Sequence, residues 1–181
     1  MIKVVFAPGN GGGSVHENWF VYLKKELEKL GITVVAKDFP DPMLAREKYW
    51  LPFLKNKLHA DENTIIIGHS SGAIAAMRYA EKNKILGSVL VAPYHTDLDD
   101  DSEKESGYFN RPWDWEAIKK NQKFIIQFNS TDDPWIPIVE ARFVHKKLNT
   151  DYHEYTDQGH FGGDREKPTF PELLEAFKKK I

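Results

Sequence analysis

The chain has 181 residues, of which 41% are hydrophobic, and this length suits one ordinary domain with a substantial buried core. A formal net charge of −2 and scattered Lys and Arg residues exclude a basic surface for nucleic acid or an anionic membrane. The absence of cysteine excludes disulfides, thiolate metal sites and a cysteine nucleophile. The sequence shows neither a signal-peptide pattern nor an apolar run of about 18 residues, so we expect a cytoplasmic protein.

Apolar runs with strand character alternate along the chain with segments of helical periodicity. This alternation predicts a compact single α/β domain over residues 1–181, with about six mostly parallel strands and helices on both faces. Pro52 lies inside the second helical segment and predicts a kink or a break there. The predicted strands are Ile2–Ala7, Ile32–Ala36, Thr64–Gly68, Ser88–Ala92, Phe124–Phe128 and a weaker Tyr152–Tyr155; the helical segments are 18–30, 44–58, 71–83, 136–148 and 171–181.

The first predicted strand is followed at once by the glycine-rich stretch "PGNGGGS". A Walker-type phosphate loop has the motif G-x-x-x-x-G-K-[ST]. If Gly9 is its first glycine, Ser14 occupies the position of the second glycine, and no lysine follows. The dinucleotide fingerprint also fails at Ser14, although Asp38 stands where a ribose-binding acid would be expected. Nucleotide binding is therefore a distant alternative for this loop.

The third predicted strand ends in the pattern G-x-S-x-G, from Gly68 to Gly72, with Ser70 at its centre. An alanine-rich helical segment follows, and a strand-to-helix junction is the context that a nucleophile elbow requires. Small residues two positions before and after the serine let its sharp turn pack against neighbouring backbone. Ser70 is the predicted nucleophile.

A serine nucleophile needs a base and a carboxylate, which in this pattern follow in the order Ser, Asp, His. Asp132 and Asp133 both follow the fifth predicted strand, and we favour Asp133 because an apolar pair and a proline come directly after Asp133-Pro134. Asp132 is the alternative, with capping of the turn as its expected role. His160, in the loop after the last strand, is the predicted base, since the other histidines lie within helices or strands or precede the acid.

Acyl transfer also needs N–H donors directed at the oxyanion. The residue after the nucleophile, Ser71, should supply one backbone N–H, and the loop after the first strand should supply the other. In "PGNGGG" that donor is Asn10 or Gly11, with glycines allowing close approach of backbone to substrate. The glycine-rich stretch is thus interpreted as an oxyanion loop.

Residues 94–115 form a long connection that is acidic first and aromatic afterwards, and loops of this length are often lids or binding loops. Aromatic residues in or near the rim loops are candidates to line an apolar acyl pocket. Asp97, Asp99 and Asp101 imitate the start of a calcium loop, but Ser102 replaces the required glycine, so we expect a solvated acidic loop and no metal. The candidate pocket residues are Phe109, Trp113, Trp135 and Phe161.

The segments "TIIIGHSSGAIAAMRYAE", "SGYFNRPWDWEAI", "QFNSTDDP" and "TDQGHF" resemble the retinoblastoma-binding protein 9 family of serine hydrolases over nearly the whole chain. The resemblance implies a compact α/β-hydrolase fold and a triad on Ser70, Asp133 and His160. It also implies hydrolysis of small ester or amide substrates, with aminopeptidase-like activity among the expectations, and no cofactor.

One feature of that family is not matched. The retinoblastoma-type pocket motif is L-x-C-x-E, and Ala60 stands here in place of its cysteine, so the resemblance does not extend to that partner. We expect a small-molecule or short-peptide acyl substrate as the partner. The rival hypothesis is a catalytically weak protein that retains the hydrolase fold and acts as an interaction module.

Overall fold

The computed structural model describes residues 1–181 and contains one six-stranded sheet in the order β2-β1-β3-β4-β5-β6. Every neighbouring pair of strands is parallel, as the alternation of strands and helices predicts. The strands are β1 Lys3–Ala7, β2 Thr33–Val35, β3 Thr64–His69, β4 Gly87–Val91, β5 Phe124–Ser130 and β6 Asp151–Tyr155; the helices are α1 Asn18–Lys29, α2 Glu47–Asn56, α3 Ser71–Ala80, α4 Asp101–Ser106, α5 Trp115–Lys120, α6 Ile138–Leu148 and α7 Pro171–Lys178.

The sheet separates two hydrophobic clusters, one on each face. Successive side chains of a strand point to opposite faces, so Ile66 in β3 joins the cluster formed with α2, α3, α5 and α6. Ile65 and Ile67 join the cluster formed with α1 and α7 on the other face. Burial on both faces explains why β3 and β4 are continuous apolar runs. The result is a single domain with helices on both sides of the sheet.

Because all six strands are parallel, their carboxyl ends share one edge of the sheet. In such sheets ligands bind beyond the carboxyl ends of the strands. The glycine-rich loop leaves that edge after Ala7, and the turn that carries Ser70 leaves it after His69. The loops after Ser130 and Tyr155 carry the candidate acid and base to the same edge.

For the second helical segment, the predicted start at residue 44 and a break at Pro52 were both wrong. The second helical segment begins at Glu47 and continues through Pro52 as one helix. A proline inside a helix removes one hydrogen bond, and burial of Trp50 and Leu54 in the core offsets that loss. None of the seven helices combines the length and apolar character needed to cross a membrane.

The connection over residues 94–115 is also more ordered than the sequence predicts, because it contains the short helix α4 and the first residue of α5. Asp100 caps α4, since its carboxylate accepts hydrogen bonds from the N–H groups of Ser102 and Glu103 at 2.8 and 3.1 Å. Gly107, with φ of 86°, ends the helix in the left-handed region that favours glycine.

Candidate active site

Ser70 occupies the sharp turn between β3 and α3. Its backbone has φ of 54° and ψ of −120°, a conformation that a non-glycine residue adopts only under constraint. A Cβ at Gly72 would lie 2.1 Å from the carbonyl oxygen of Ala7, and one at Gly68 would lie 2.4 Å from the backbone of Gly72. Both glycines of the motif are therefore required by close backbone packing, which holds Ser70 at the start of α3.

His160 lies in the loop after β6, and its Nδ1 is 2.7 Å from Oδ2 of Asp133. Both side chains are buried, and the acceptor is a carboxylate, so Nδ1 carries the proton and Nε2 is left free to accept one. The Ser70 hydroxyl is not hydrogen-bonded to His160, a contact that in related sites often forms only with substrate. Trp135 packs its ring edge-on against His160, with centroids 4.7 Å apart.

The two neighbouring aspartates have separate roles in the structure. Besides His160, Asp133 accepts hydrogen bonds through Oδ1 from the N–H groups of Trp135 and Ile136, at 2.9 and 3.0 Å. Asp132 instead accepts the N–H of Gly159 at 2.9 Å, so it positions the loop that carries the histidine. A hydrogen bond from the Ser130 hydroxyl lowers the pKa of Asp132 below its usual range. The structure thus brings Asp133, and not Asp132, to the histidine ring.

The loop after β6 is held by two buried side chains that the sequence analysis missed. Nε2 of His69 is 2.7 Å from the carbonyl oxygen of His160, and the Trp19 indole N–H donates to the carbonyl of Phe161 at 2.7 Å. Burial lowers the pKa of His69 to about 3, so it is neutral and donates through Nε2. No sequence signal marks His69 for this role, because the partner is a backbone carbonyl 91 positions away.

The glycine-rich loop is anchored through its backbone to the segment that precedes α2. The N–H of Gly11 donates to the carbonyl of Met43 at 3.0 Å, and that of Gly12 donates to Pro42 at 3.1 Å. The N–H of Asn10 has no acceptor within the protein. Ser71 is the first residue of α3, where N–H groups lack acceptors within the helix. Asn10 lines the same cavity as Ser70, the residue that directly precedes Ser71.

A cavity of about 850 Å³ opens at the carboxyl edge of the sheet and is lined by Ser70, His160 and the glycine-rich loop. Met43 and Trp135 contribute apolar surface, and both are largely exposed at the opening. Of the four aromatic residues predicted to line a pocket, Trp135 is the one that the structure places there.

The other three pocket predictions were wrong. Phe161 is fully buried and packs on Phe170 in the core beside α7. The ring of Trp113 packs against the guanidinium of Arg78, with its centroid 3.6 Å from Cζ. Phe109 packs against Trp113 and against Tyr94 and Tyr108. These three aromatic residues therefore pack against other side chains and do not line the cavity. The sequence does not reveal these partners.

Two lesser motifs of the sequence have local structural roles. Asp38 accepts the Ser14 hydroxyl at 2.7 Å and so ties down the end of the glycine-rich loop. Asp99 pairs with Lys104 at 2.7 Å, and its side chain is almost fully exposed. No group of three or more His, Cys, Asp or Glu side chains is arranged to hold a metal ion.

Comparison with known proteins agrees with this geometry. The family model described as "Serine hydrolase" matches residues 4–179. The chain is 49% identical to serine hydrolase RBBP9 of Rattus norvegicus, over 99% of this chain and 95% of the rat protein. The crystal structure of the ydeN gene product from B. subtilis covers 99% of this chain and 98% of its own, with a TM-score of 0.90 and 23% identity.

An esterase from Exiguobacterium antarcticum shares the fold at a TM-score of 0.65 and 14% identity, over 99% of this chain and 92% of its own. At such identities the two solved structures bear on the fold alone. The family match and the match to the rat relative cover nearly the whole chain, and the range 4–179 matched by the family model contains Ser70, Asp133 and His160. The chain belongs to the serine hydrolase family and has an α/β-hydrolase fold.

Proposed function

We propose that this protein cleaves small ester or amide substrates, including aminoacyl and short-peptide compounds, through an acyl-enzyme on Ser70. The observation that carries the proposal is the contact between His160 and Asp133 at 2.7 Å, beside a cavity that Ser70 also lines. A buried carboxylate on Nδ1 holds the imidazole in the tautomer that lets Nε2 act as base. No metal or organic cofactor is part of the proposed reaction.

In the first step His160 removes the hydroxyl proton of Ser70 as the serine oxygen attacks the substrate carbonyl carbon. The resulting oxyanion receives hydrogen bonds from the backbone N–H groups of Ser71 and Asn10, each worth about 3 kcal/mol of transition-state stabilisation. Asn10 is preferred to Gly11 for this role because the Gly11 N–H already donates to Met43. The intermediate then collapses, and His160 returns the proton to the leaving alcohol or amine.

In the second step His160 removes a proton from water as the water oxygen attacks the acyl carbon. The bond between the acyl carbon and Ser70 Oγ then breaks, His160 returns the proton to Oγ, and the carboxylic acid is released. Asp133 stabilises the imidazolium that forms in both steps without itself taking the proton. Since Met43 and Trp135 are exposed apolar side chains in the lining of the cavity, we propose that they contact the acyl or leaving group of the substrate.

Intact-mass analysis after exposure to a fluorophosphonate tests the nucleophile directly. We expect one adduct in the wild type and none in Ser70→Ala. Ser71→Ala is the matched control, because it removes a neighbouring hydroxyl and leaves the proposed backbone donor in place; it should still form the adduct. Absence of an adduct in folded wild-type protein would contradict the proposal and favour the interaction-module hypothesis.

Substrate class is tested by turnover of aryl acetates and aminoacyl anilides by the same variants. We expect turnover of at least one class by the wild type and its loss in Ser70→Ala. If unlabelled wild-type protein that is able to form the adduct turned over neither class, the assignment of Ser70 as nucleophile would stand and the proposed substrate class would be rejected.

A further inference from the structure

The 94–115 segment contributes to the lining of the cavity a buried carboxylate that lies outside the group of Ser70, His160 and Asp133. Glu103 in α4 is 7% exposed, and it lies among the residues that line the cavity with Ser70. Its Oε1 accepts the side-chain amide of Asn10 at 2.8 Å, and its Oε2 accepts the Tyr94 hydroxyl at 2.9 Å. The Tyr94 hydroxyl is also 3.3 Å from the hydroxyl of Ser71.

This network ends on the two residues whose backbone N–H groups are the proposed oxyanion donors. One carboxylate contacts Asn10 directly and Ser71 through Tyr94. The next residue of the glycine-rich loop, Gly11, is anchored on the opposite side by Met43. The peptide at Asn10 is therefore held from two sides, while its own N–H stays free for a ligand.

The position of Glu103 is well determined by α4 itself. The Asp100 cap accepts the backbone N–H of Glu103, and the Ser106 hydroxyl donates to its carbonyl at 2.6 Å. Burying a carboxylate is costly unless it is hydrogen-bonded, and burial raises the pKa of Glu103 above its usual range. The hydrogen bonds from Tyr94 and Asn10 offset part of that cost.

We propose that Glu103 is a positioning residue that aligns the oxyanion donors of Asn10 and Ser71 through their side chains and Tyr94. The inference rests on the acyl-transfer function proposed above and assigns the 94–115 segment a part in it. Glu103 itself does not contact the reacting atoms. Its effect is geometric, so it should depend on the hydrogen bonds rather than on the negative charge.

The two variants Glu103→Gln and Glu103→Ala separate hydrogen bonding from charge. A glutamine can accept the Asn10 amide through its oxygen and donate its own amide to the Tyr94 hydroxyl oxygen. The Tyr94 hydroxyl, which donates to Glu103 in the wild type, is then free to donate to the Ser71 hydroxyl. Alanine leaves the Asn10 amide and the Tyr94 hydroxyl without this partner. Glutamine should therefore rescue the function that alanine loses.

The experiment measures kcat and KM for p-nitrophenyl acetate, a neutral ester that offers no cation to a carboxylate. We expect Glu103→Ala to lower kcat roughly tenfold to 100-fold, the scale of a misplacement of about 1 Å in an active site, with KM little changed. Glu103→Gln should retain kcat within about threefold of the wild type. Glu105→Ala, an exposed position of the same helix, is the control and should leave both constants unchanged.

A double variant tests whether the effect passes through Asn10. Asn10→Ala removes the side-chain amide and keeps the backbone N–H, so it should lower kcat in the same way as Glu103→Ala. Because Glu103→Ala already breaks the hydrogen bond between Asn10 and Glu103, the double variant should be little worse than Glu103→Ala alone. Additive losses in the double variant would overturn the proposed route.

Other outcomes overturn the proposal outright. These are an unchanged kcat in Glu103→Ala, an equal loss of kcat in Glu103→Gln, or a rise in KM alone. If wild-type protein forms the fluorophosphonate adduct, such a result rejects the role of Glu103 and leaves the proposed function standing. Should Glu103→Ala fail to fold, Asn10→Ala and Tyr94→Phe break the same network, and an unchanged kcat in both would overturn the proposal.

Discussion

The elbow around Ser70 and the segment 94–115 border the same cavity, but they are held in place by different kinds of contact. At the elbow, backbone packs directly on backbone, with Gly68 against the start of α3 and Gly72 against Ala7 at the end of β1. The 94–115 segment is held by side chains from distant parts of the chain. The most extensive of these contacts comes from Arg78, whose buried guanidinium donates to three backbone carbonyls of residues 108–112.

This difference determines what a substitution should do. A change to the reacting groups beside the elbow should remove catalysis and leave the fold in place, since those side chains contact few other groups. A change to the side chains that hold the 94–115 segment should cost stability first. The four predictions that follow test this contrast.

The largest effect is expected from Asp133→Asn, measured as kcat on an aryl ester. An asparagine can donate to Nδ1 of His160 and so favours the wrong tautomer, which should lower kcat about 10⁴-fold. The free energy of unfolding should change far less. The matched control is Asp132→Asn, which weakens the contact to Gly159 and should lower kcat about tenfold at most.

Equal losses of kcat in the two aspartate variants would contradict the separate roles described for them. A large loss in Asp132→Asn alone would mean that the histidine loop, and not the tautomer of His160, limits the reaction. Circular dichroism on both variants shows whether the fold is intact.

The second prediction concerns the buried Arg78. Arg78→Ala removes hydrogen bonds to the carbonyls of Tyr108, Arg111 and Pro112. It also removes the closer of the two arginine partners of the buried Glu81 carboxylate, which keeps Arg111 at 3.5 Å. Breaking a buried ion pair by removing one partner costs about 3–5 kcal/mol, so we expect the free energy of unfolding to fall by about 4 kcal/mol in urea titration.

The control for that variant is Arg142→Ala, which removes an exposed arginine paired with Glu154. Exposed pairs contribute about 1 kcal/mol or less, so this variant should be nearly as stable as the wild type. Equal destabilisation by the two arginine substitutions would show that the 94–115 segment is not held as described.

The same contrast explains which parts of the molecule the sequence could predict. The sheet, the order of the elements and the loops that bear Ser70, Asp133 and His160 follow from local patterns, because strand periodicity and the G-x-S-x-G motif can each be recognised within a short stretch of sequence. The role of His69 and the burial of Phe161 could not be predicted, since both depend on partners far along the chain. Helix α4 was missed because its six residues are too few to show a periodic apolar pattern.

The third prediction tests the elbow backbone itself. Gly72→Ala would place a Cβ 2.1 Å from the carbonyl oxygen of Ala7, a backbone atom of a central strand that cannot move freely. We expect a loss of about 3 kcal/mol in the free energy of unfolding, at the upper end for overpacking. Gly31→Ala is the matched control, because its φ of 76° is unfavourable but no atom lies within 4 Å; it should cost about 1 kcal/mol. A smaller loss in Gly72→Ala than in Gly31→Ala would contradict the proposed backbone contact.

The smallest effect concerns Glu140, which holds the start of the 94–115 segment by accepting the N–H groups of His95 and Thr96 at 2.9 and 3.1 Å. Burial alone would raise the pKa of Glu140, but hydrogen bonds from His95 and Thr96 outweigh it and lower the pKa from 4.5 to about 2. A carboxyl group whose pKa is lower in the folded state stabilises the protein above its unfolded pKa. That stabilisation is lost as the pH falls from about 4.5 through about 2.

The test compares the free energy of unfolding of wild type and Glu140→Gln at several pH values. At pH 6 we expect the variant to be less stable by about 1.5 kcal/mol, less than the pKa displacement alone implies, because water still reaches part of the carboxylate. The gap should narrow at pH 3 as the wild-type carboxylate begins to take up a proton. Glu175→Gln, which breaks an exposed pair with Lys178, should show no such change with pH. A gap that stays constant between pH 6 and pH 3 would mean that Glu140 holds the segment by shape alone, and that its charge contributes nothing to the contact.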